Sequence, residues 1–152
     1  MNLPSSQFYA SQGHKIDDYW YDFTQIQFEW ILNHLQRRHK ANAKLKIIDL
    51  GCGTGRLLSL IADIFPNAEL YGVDGTPELL DIARNRLNGR AKVMQADLNE
   101  HIIQNSDYDV VISTTVLHHL KTPQNLLKTI RAGLNATGTA YISEFALETL
   151  PL

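Results

Sequence analysis

Three glycines at alternate positions, Gly51, Gly53 and Gly55, form the stretch of this sequence best suited to bind a ligand. They follow an apolar run that contains Asp49 near its end, and a helical pattern begins at Arg56. A buried strand that leads into a tight turn beneath a helix N-terminus explains this order of residues. Glycines permit positive φ angles and leave the main chain bare, so a ligand can lie directly against the turn.

Two common kinds of glycine-rich turn do not fit these residues. A phosphate-binding loop needs a lysine directly after its last glycine, and no lysine occurs between Lys46 and Lys92. A nicotinamide-dinucleotide turn has the spacing Gly-x-Gly-x-x-Gly, but its third glycine position, counted from Gly51, is Arg56. Asp49 beside the turn would also repel a pyrophosphate. What remains is a ligand without phosphate, or a strand, turn and helix whose glycines are incidental.

Further candidate residues stand at the ends of the other predicted strands. A carboxylate at Asp74 can accept hydrogen bonds from both hydroxyls of a ribose, a role that serves NAD and other nucleoside ligands alike. The alternative for Asp74 is an acid at the start of the helix that begins with Thr76-Pro77. Asp97 and Ser113 end the next two strands, and Asp97 is alternatively a simple turn residue.

The stretch Asp49-Leu50-Gly51-Cys52-Gly53-Thr54-Gly55 closely resembles the first motif of class I methyltransferases that depend on S-adenosylmethionine (SAM). Val73-Asp74 resembles the second motif of that family, 95–98 the third, and 108–120 the fourth. The resemblance covers roughly residues 45–145 and is nearest to the small-molecule branch, which includes quinone-biosynthesis-type enzymes. SAM has no phosphate and carries a positive sulfonium and ammonium, so an acid beside the turn is compatible with it.

The resemblance implies SAM as the cofactor, S-adenosylhomocysteine (SAH) as its product, and a set of binding residues. By it, Gly51, Cys52 and Gly53 line the methionine moiety, and Asp49 steadies its ammonium through water. Asp97 receives the adenine amino group, and Leu98 presents its main-chain N–H to the ring. The complete set of predicted cofactor-binding residues is Asp49, Gly51, Cys52, Gly53, Gly55, Asp74, Gly75, Asp97, Leu98 and Ser113.

The end of the fourth predicted strand bears on the acceptor of the methyl group. Adenine-amino and glutamine methyltransferases have Asn/Asp-Pro-Pro-Tyr/Phe there, whereas residues 113–116 read Ser-Thr-Thr-Val, which counts against both classes. We therefore expect a small-molecule acceptor with an oxygen, nitrogen or carbon nucleophile. An acidic hydroxyl or enol also needs a base, for which His118 or His119 is the nearest candidate, although one of the pair could instead bond locally. No spacing of His, Asp and Glu resembles a metal site.

Alternating strand and helix patterns position these residues. Helices follow the glycine turn and begin at Thr76 and Thr122, with a short helical stretch at 100–104. Strands are predicted at 45–50, 69–73, 91–96, 108–113 and 139–145. The alternation implies an α/β fold with a parallel sheet and helices on both faces. The family resemblance implies that this is a Rossmann-like doubly wound sheet of five strands in the order 3-2-1-4-5. Ligands of such sheets bind beyond the carboxyl ends of the strands, where the candidate residues stand.

An additional helix is predicted at 17–39, after a flexible N-terminal arm at 1–16. Together with the core at 45–145, this helix forms a single SAM-binding methyltransferase domain at 17–152. The aromatic start of the helix either packs onto the sheet or forms a lid over the pocket, in which case Tyr9 and Tyr19 are the rings concerned. Its expected apolar stripe comprises Trp20, Phe23, Trp30, Ile31 and Leu35.

Composition and charge exclude several classes of protein. The chain has 152 residues, of which 44% are hydrophobic and 20% charged, as is typical of one globular domain. A net charge of −2 provides no electrostatic footprint for nucleic acid or an anionic membrane. Cys52 is the lone cysteine, which excludes an internal disulfide. No signal peptide or membrane span is recognisable, so we expect a cytoplasmic protein.

The C-terminus departs from the family pattern. The chain ends seven residues after Phe145, whereas the family usually continues into a helix and an antiparallel pair. The outer edge of the fifth strand would then be open, with apolar side chains at Tyr141, Ile142 and Phe145, and such an edge invites association. We therefore expect a shortened chain or a homo-oligomer through this edge. A SAM-binding module that is inactive alone, and a fragment of a NAD-type oxidoreductase, stay open as alternatives to a working methyltransferase.

Overall fold

The computed structural model describes residues 11, 15–19, 21–100, 103 and 107–144. Within these ranges, no helix is long and apolar enough to cross a membrane. The elements are, in chain order, α1 (Ile16–Tyr19), α2 (Tyr21–Arg38), β1 (Lys46–Leu50), α3 (Arg56–Ile64), β2 (Glu69–Asp74), α4 (Pro77–Leu87), β3 (Lys92–Gln95), β4 (Tyr108–Thr114), a 3₁₀ turn (Leu117–His119), α5 (Pro123–Gly133) and β5 (Leu134–Ser143).

The strands form one parallel sheet in the order β3-β2-β1-β4-β5, which confirms the predicted fold class and strand order. Helices cover both faces of the sheet. Apolar residues of α2, α3 and α4 pack into one core cluster, and those of α5 pack into a second. Ile47 and Ile48 are neighbours in β1 but belong to opposite clusters, because successive strand residues face opposite sides of a sheet. The central strands are therefore apolar on both faces.

The register of β1 and β2 brings their carboxyl ends to the same level. Leu50 lies opposite Val73, the penultimate residue of β2. The main-chain N–H groups of Gly51 and Cys52 both donate to the Val73 carbonyl, at 2.7 and 3.0 Å. These bonds begin the glycine turn at the carboxyl edge of the sheet, where the fold is expected to bind its ligand.

Helical structure covers most of the range 17–39, where one N-terminal helix was predicted. It consists of α1 and α2, and Trp20 between them lies outside the described residues, as does Tyr9 with the rest of 1–10. The buried stripe of α2 comprises Phe28, Ile31 and Leu35.

Two aromatic residues that were expected in the buried stripe are instead exposed. Phe23 is 38% and Trp30 52% exposed. Trp30 directly precedes the buried Ile31 and therefore lies at the flank of the stripe, where its ring contacts His34 and the edge of Tyr141 in β5. The helix thus meets the sheet through a narrower apolar surface than its composition indicates.

The fifth strand begins earlier than its predicted range of 139–145. It starts at Leu134, which lies opposite Tyr108, and the next registered pair is Val110 with Thr139. Residues 135–138 are therefore an irregular insertion in the strand. Phe145 and most of the predicted helical stretch at 100–104 lie outside the described residues.

Candidate functional site

The glycine turn uses conformations that other residues rarely adopt. The φ angles of Gly51, Gly53 and Gly55 are 86°, 51° and 71°. A Cβ atom at Gly51 would overlap Val116, whereas a Cβ at Gly53 would meet nothing within 4 Å. Gly53 therefore leaves main chain bare toward open space, as a ligand-binding turn requires.

Gly55 has a different role from the other two glycines. A Cβ atom there would lie 3.1 Å from both Ala83 and Leu87 of α4. The residue is absent from the lining of the cavity described below. Gly55 therefore allows α4 to pack closely against the turn, and the structure does not bring it to the wall of the cavity.

A cavity of about 830 Å³ lies at the carboxyl edge of the sheet, within the size range of small-molecule sites. It is bounded by the ends of β1, β2, β3 and β4, by the 3₁₀ turn and by α2. The cavity brings together most of the predicted site residues, which come from four separate segments of the chain. The predicted residues that line it are Asp49, Gly51, Cys52, Gly53, Asp74, Gly75, Asp97, Leu98 and His119.

Asp49 is the most perturbed acid of the cavity. Its side chain is buried, with the residue 2% exposed, and its Oδ1 has no hydrogen-bond partner among the described residues. Burial, with a further contribution from the charge of Asp74, raises the pKa of Asp49 from 3.8 to about 7. A buried carboxylate without a donor is costly. The site therefore favours a ligand that brings a positive charge or donors to Asp49.

Cys52 is the lone thiol of the chain and also lines the cavity. Burial raises its pKa above the usual range, and the charges of Asp49 and Asp74 act in the same direction. The thiol is therefore neutral and serves as a small apolar wall, not as a nucleophile.

Asp74 connects the glycine turn to α4. Its Oδ2 accepts a hydrogen bond from the Gly53 N–H at 2.9 Å, and its Oδ1 accepts one from the Thr76 N–H at 2.8 Å. The helix-start role considered for Asp74 is thus present, and Thr76 itself makes no side-chain capping bond. Two carboxylate oxygens offer about four acceptor sites. The carboxylate of Asp74 therefore still has acceptor sites for the hydroxyls of a ribose.

Asp97 forms a local turn with Asn99 at the edge of the cavity. Asp97 Oδ1 accepts hydrogen bonds from the main-chain N–H and the side-chain amide of Asn99, both at 2.8 Å. These bonds hold the pKa of the Asp97 carboxyl below its ordinary value. Asp97 is exposed, while Leu98 beside it is buried and also lines the cavity.

Ser113 lies outside the cavity wall, and the next two residues, Thr114 and Thr115, line it instead. β4 extends one residue further than predicted, to Thr114, so the strand ends later. Thr115 has a φ angle of 56°, an uncommon conformation for a residue with a branched Cβ. Its N–H donates to the carbonyl of Ser143 in β5 at 2.8 Å, which holds the loop in this strained form.

The two histidines occupy different environments. His118 Nδ1 lies 2.6 Å from Glu144 Oε1, and the His118 main-chain N–H donates to Glu144 Oε2 at 3.3 Å. His119 lines the cavity, and its ring centroid is 3.9 Å from that of His118. Burial lowers the pKa of His119, and His118 acts in the same direction, against the opposing effects of Glu144 and Asp74.

The N-terminal segment contributes a wall that sequence reasoning anticipated only as an aromatic lid. Asp17, Phe23, Thr24 and Phe28 line the cavity, and we call these residues the roof. The two rings that were named for a lid, those of Tyr9 and Tyr19, both lie outside what the structure describes.

Arg56, the first residue of α3, attaches the roof to the glycine turn. Its Nη1 donates to Thr24 Oγ1 at 3.2 Å and its Nη2 to Gln25 Oε1 at 2.6 Å. The guanidinium carbon lies 4.3 Å from the centroid of the Tyr21 ring, a cation–π distance. The long side chain that argued against a dinucleotide turn thus serves to hold α2.

Comparison with known proteins agrees with this geometry. A family profile described as "Methyltransferase domain" matches residues 48–140. Malonyl-[acyl-carrier protein] O-methyltransferase of Bacillus anthracis is 28% identical over 119 residues, which are 78% of this chain and 44% of that protein. Carboxy-S-adenosyl-L-methionine synthase of Trichodesmium erythraeum (strain IMS101) is 34% identical over 107 residues, 66% of this chain and 42% of that protein. The chain thus spans less than half the length of these relatives.

Solved structures show the same arrangement of the sheet. The plantazolicin methyltransferase BpumL in complex with SAH superposes with a TM-score of 0.70 and 28% identity, covering 83% of this chain and 49% of BpumL. A TehB-like SAM-dependent methyltransferase of Corynebacterium glutamicum has a TM-score of 0.67 and 21% identity, covering 87% of this chain and 72% of that one. At this lower identity, the likeness concerns the fold alone. From the profile match, the strand order and the cavity-lining motifs, the chain belongs to the class I SAM-dependent methyltransferase family.

Proposed function

We propose that this chain binds SAM in the cavity at the carboxyl edge of the sheet and transfers its methyl group to a small-molecule acceptor. The observation that carries the proposal is at Asp49, a residue that lines the cavity: its buried Oδ1 is an acceptor with no donor among the described residues. The ammonium of SAM supplies the missing donors and the positive charge. The related BpumL was solved with SAH, which supports this choice of ligand.

The other residues of the cavity fit the same ligand. Gly53 leaves bare main chain beside Asp49 for the methionine moiety, and Asp74 offers free acceptor sites to the ribose hydroxyls. We assign adenine to Asp97 and Leu98, which line the same cavity. A pyrophosphate would face the carboxylates of Asp49 and Asp74, which disfavours a NAD-type ligand.

When bound, SAM supplies an electrophilic methyl group on a sulfonium, so the chain itself needs no strong nucleophile. The chain must hold the acceptor in line and keep water away. Phe23 and Phe28 of the roof, together with Leu120, provide apolar wall for this purpose. Such a surface suits a small, largely apolar acceptor.

We assign the role of base to His119. It lines the cavity, and its lowered pKa keeps the ring neutral and able to accept a proton at neutral pH. An acceptor O–H or N–H gives its proton to a ring nitrogen of His119, from which the proton passes to solvent. His118 does not line the cavity; with Glu144 it fixes the 3₁₀ turn that carries His119.

Titration calorimetry tests the ligand. We expect SAM and SAH to bind with a single site per chain, while NADH binds at least tenfold more weakly. SAH should bind Asp49→Asn more weakly than wild type by a factor of about ten, because a charge-assisted contact is lost. NADH binding in preference to both sulfur nucleosides would refute the proposal.

A second candidate function is a SAM-binding module that has no transfer activity alone. It is considered because the match covers 44% of the first relative described above, so the transfer activity of that whole protein is not assigned to the matched residues. Methyl transfer from labelled SAM to a panel of phenols, amines and carboxylic acids separates the two functions. Binding of SAM without product on any acceptor supports the module.

We further propose that β5 associates with a second copy of this chain. Among the described residues β5 pairs with β4 alone, and Ile142 of β5 and Leu127 of α5 are 41% and 42% exposed. An open edge beside apolar side chains is a template for pairing. Light scattering should give twice the mass of one chain, and Ile142→Lys should return the monomer. A wild-type monomer at high concentration contradicts this proposal.

A further inference from the structure

The glycine turn needs to be held from outside. Thr54 stands between Gly53 and Gly55, both of which have positive φ angles. Glycines lose more conformational freedom on ordering than other residues, so a turn of this composition is mobile unless other groups fix it. A mobile turn binds a ligand more weakly, because ordering it consumes part of the binding free energy.

Arg86, near the end of α4, binds Thr54 twice. Its Nη1 donates to the Thr54 carbonyl at 2.9 Å and to the Thr54 hydroxyl oxygen at 2.6 Å. The carbonyl is thereby fixed toward α4. On the neighbouring residue, the Gly53 N–H is held by Asp74. The Gly53 N–H and the Thr54 carbonyl therefore each have a charged hydrogen-bond partner that lies outside the turn.

Asp17 closes the arrangement from the side of the roof. The Thr54 hydroxyl donates to Asp17 Oδ1 at 2.6 Å, and Arg86 Nη2 pairs with Asp17 Oδ2. The side chains of Arg86 and Asp17 are 29% and 27% exposed, and Thr54 is 5% exposed. The three side chains form a closed ring of hydrogen bonds that is largely shielded from solvent, where charge-assisted bonds are strongest.

This ring joins the roof, the glycine turn and α4. Asp17 also lines the cavity, so the ring lies at its wall. Docking of the roof and ordering of the turn both require the same position of Thr54. Because docking of the roof and ordering of the turn need the same conformation, each makes the other more favourable.

We propose that Arg86 and Asp17 are positioning residues that hold the turn in its binding conformation and link nucleoside binding to docking of the roof. The inference rests on the proposed binding of SAM and SAH at this cavity. Neither residue needs to touch the ligand. Their effect is to order in advance the main chain against which the ligand lies.

The experiment compares wild type with Arg86→Ala, Asp17→Asn and the double variant. Arg84→Ala is the matched control, because Arg84 is on the same helix and pairs with Asp81 at an exposed site. SAH affinity is measured by calorimetry, and amide hydrogen exchange of residues 21–38 and 51–56 is measured with and without SAH. Melting temperatures establish that each variant is folded at the temperature of the binding measurement.

We expect Arg86→Ala to weaken SAH binding about tenfold, Asp17→Asn about threefold, and the double variant by less than the product of the two. Exchange should rise in both segments of the free Arg86→Ala protein and fall again on addition of SAH. Arg84→Ala should match wild type in both measurements.

Three results have distinct meanings. A lower melting temperature of Arg86→Ala with unchanged SAH affinity and unchanged exchange in both segments overturns the proposal, since the ring would then be structural only. Wild-type protein that binds no SAH overturns the proposed function and, with it, the link to the ligand. If wild type binds no SAH, unchanged amide exchange in Arg86→Ala also refutes the role of the ring in holding the turn and the roof. Increased exchange in both segments supports that role independently of the ligand.

Discussion

Replacement of Asp49 by Asn should stabilise the free protein and weaken its ligand binding. The carboxyl of Asp49 is buried in the sheet beside Asp74, and its pKa is raised to about 7. Asparagine has nearly the same shape but carries no charge. The two effects have opposite signs because the same buried charge destabilises the empty site and attracts a cationic ligand.

The magnitude follows from the shift in pKa. Between the unfolded value of 3.8 and the folded value of about 7, the folded chain binds more protons than the unfolded chain, so its free energy of unfolding falls as the pH rises. Each unit corresponds to about 1.4 kcal/mol, which gives a loss of about 4 kcal/mol by pH 8. Asp49→Asn has no such loss. We expect the two proteins to be similar near pH 4 and the variant to be more stable by about 2–4 kcal/mol at pH 8.

Binding gives the complementary readout. The ammonium of SAH favours the ionised form of Asp49, so binding below pH 7 requires loss of a proton from the carboxyl. The affinity of wild type should therefore rise between pH 5 and pH 7 with a slope approaching tenfold per unit. Asp49→Asn should bind more weakly at pH 7 and show a flat profile over the same range.

Urea unfolding at a series of pH values and calorimetry with SAH provide the two measurements. A variant that is less stable than wild type at pH 8 would refute the assignment of Asp49 as a strained buried charge. A wild-type affinity that does not change between pH 5 and pH 7 would refute its contact with the ammonium, even if the stability behaves as expected.

Three further variants test the remaining parts of the site. Asp74→Ala should weaken SAM binding at least tenfold, as calorimetry would measure. It should also lower the free energy of unfolding, measured with urea, by about 1–3 kcal/mol, because the N–H groups of Gly53 and Thr76 lose their acceptor. Gly51→Ala should cost about 2–4 kcal/mol through its positive φ angle and its overlap with Val116, and partial recovery of the urea midpoint by Val116→Ala would confirm the overlap. His119→Gln should lower methyl transfer to a hydroxyl acceptor by about 10²–10⁴ and, at saturating SAM, abolish the fall of kcat on the acid side of its pH profile, while an unchanged rate would remove His119 as the base.

The sequence predicts the fold and the position of the site well because both depend on local signals. The apolar runs of β1 and β4 and the alternation of strand and helix predicted the parallel sheet, and the family resemblance supplied its strand order. Asp49, Asp74 and Asp97 were identified as candidates because they stand at or near the ends of strands, and parallel strands end at one edge. All three line the same cavity. Their roles toward SAM stay predictions.

The observed lining of the cavity differs from the predicted set of residues where the exact end of a strand, or a contact with a distant helix, decides which residue reaches the cavity. β4 continues to Thr114, so Ser113 was assigned to the cavity edge when Thr114 and Thr115 occupy it. Side chains alternate along a strand, and a strand end that shifts by one residue therefore changes which side chain reaches the site. Gly55 was grouped with the other glycines by spacing alone, although its neighbours in space are Ala83 and Leu87.

The sequence by itself determined the alternation of strands and helices, the glycine turn and the acids near the ends of β1, β2 and β3, since these depend on apolar periodicity and on backbone conformations that glycine favours. Only the tertiary structure decided which partners hold the turn. Arg86 and Asp17 are 69 residues apart and meet at Thr54, and no periodic pattern marks either of them. The packing of α4 and the roof against the turn brings them together, because buried polar groups must find partners wherever the folded chain places them.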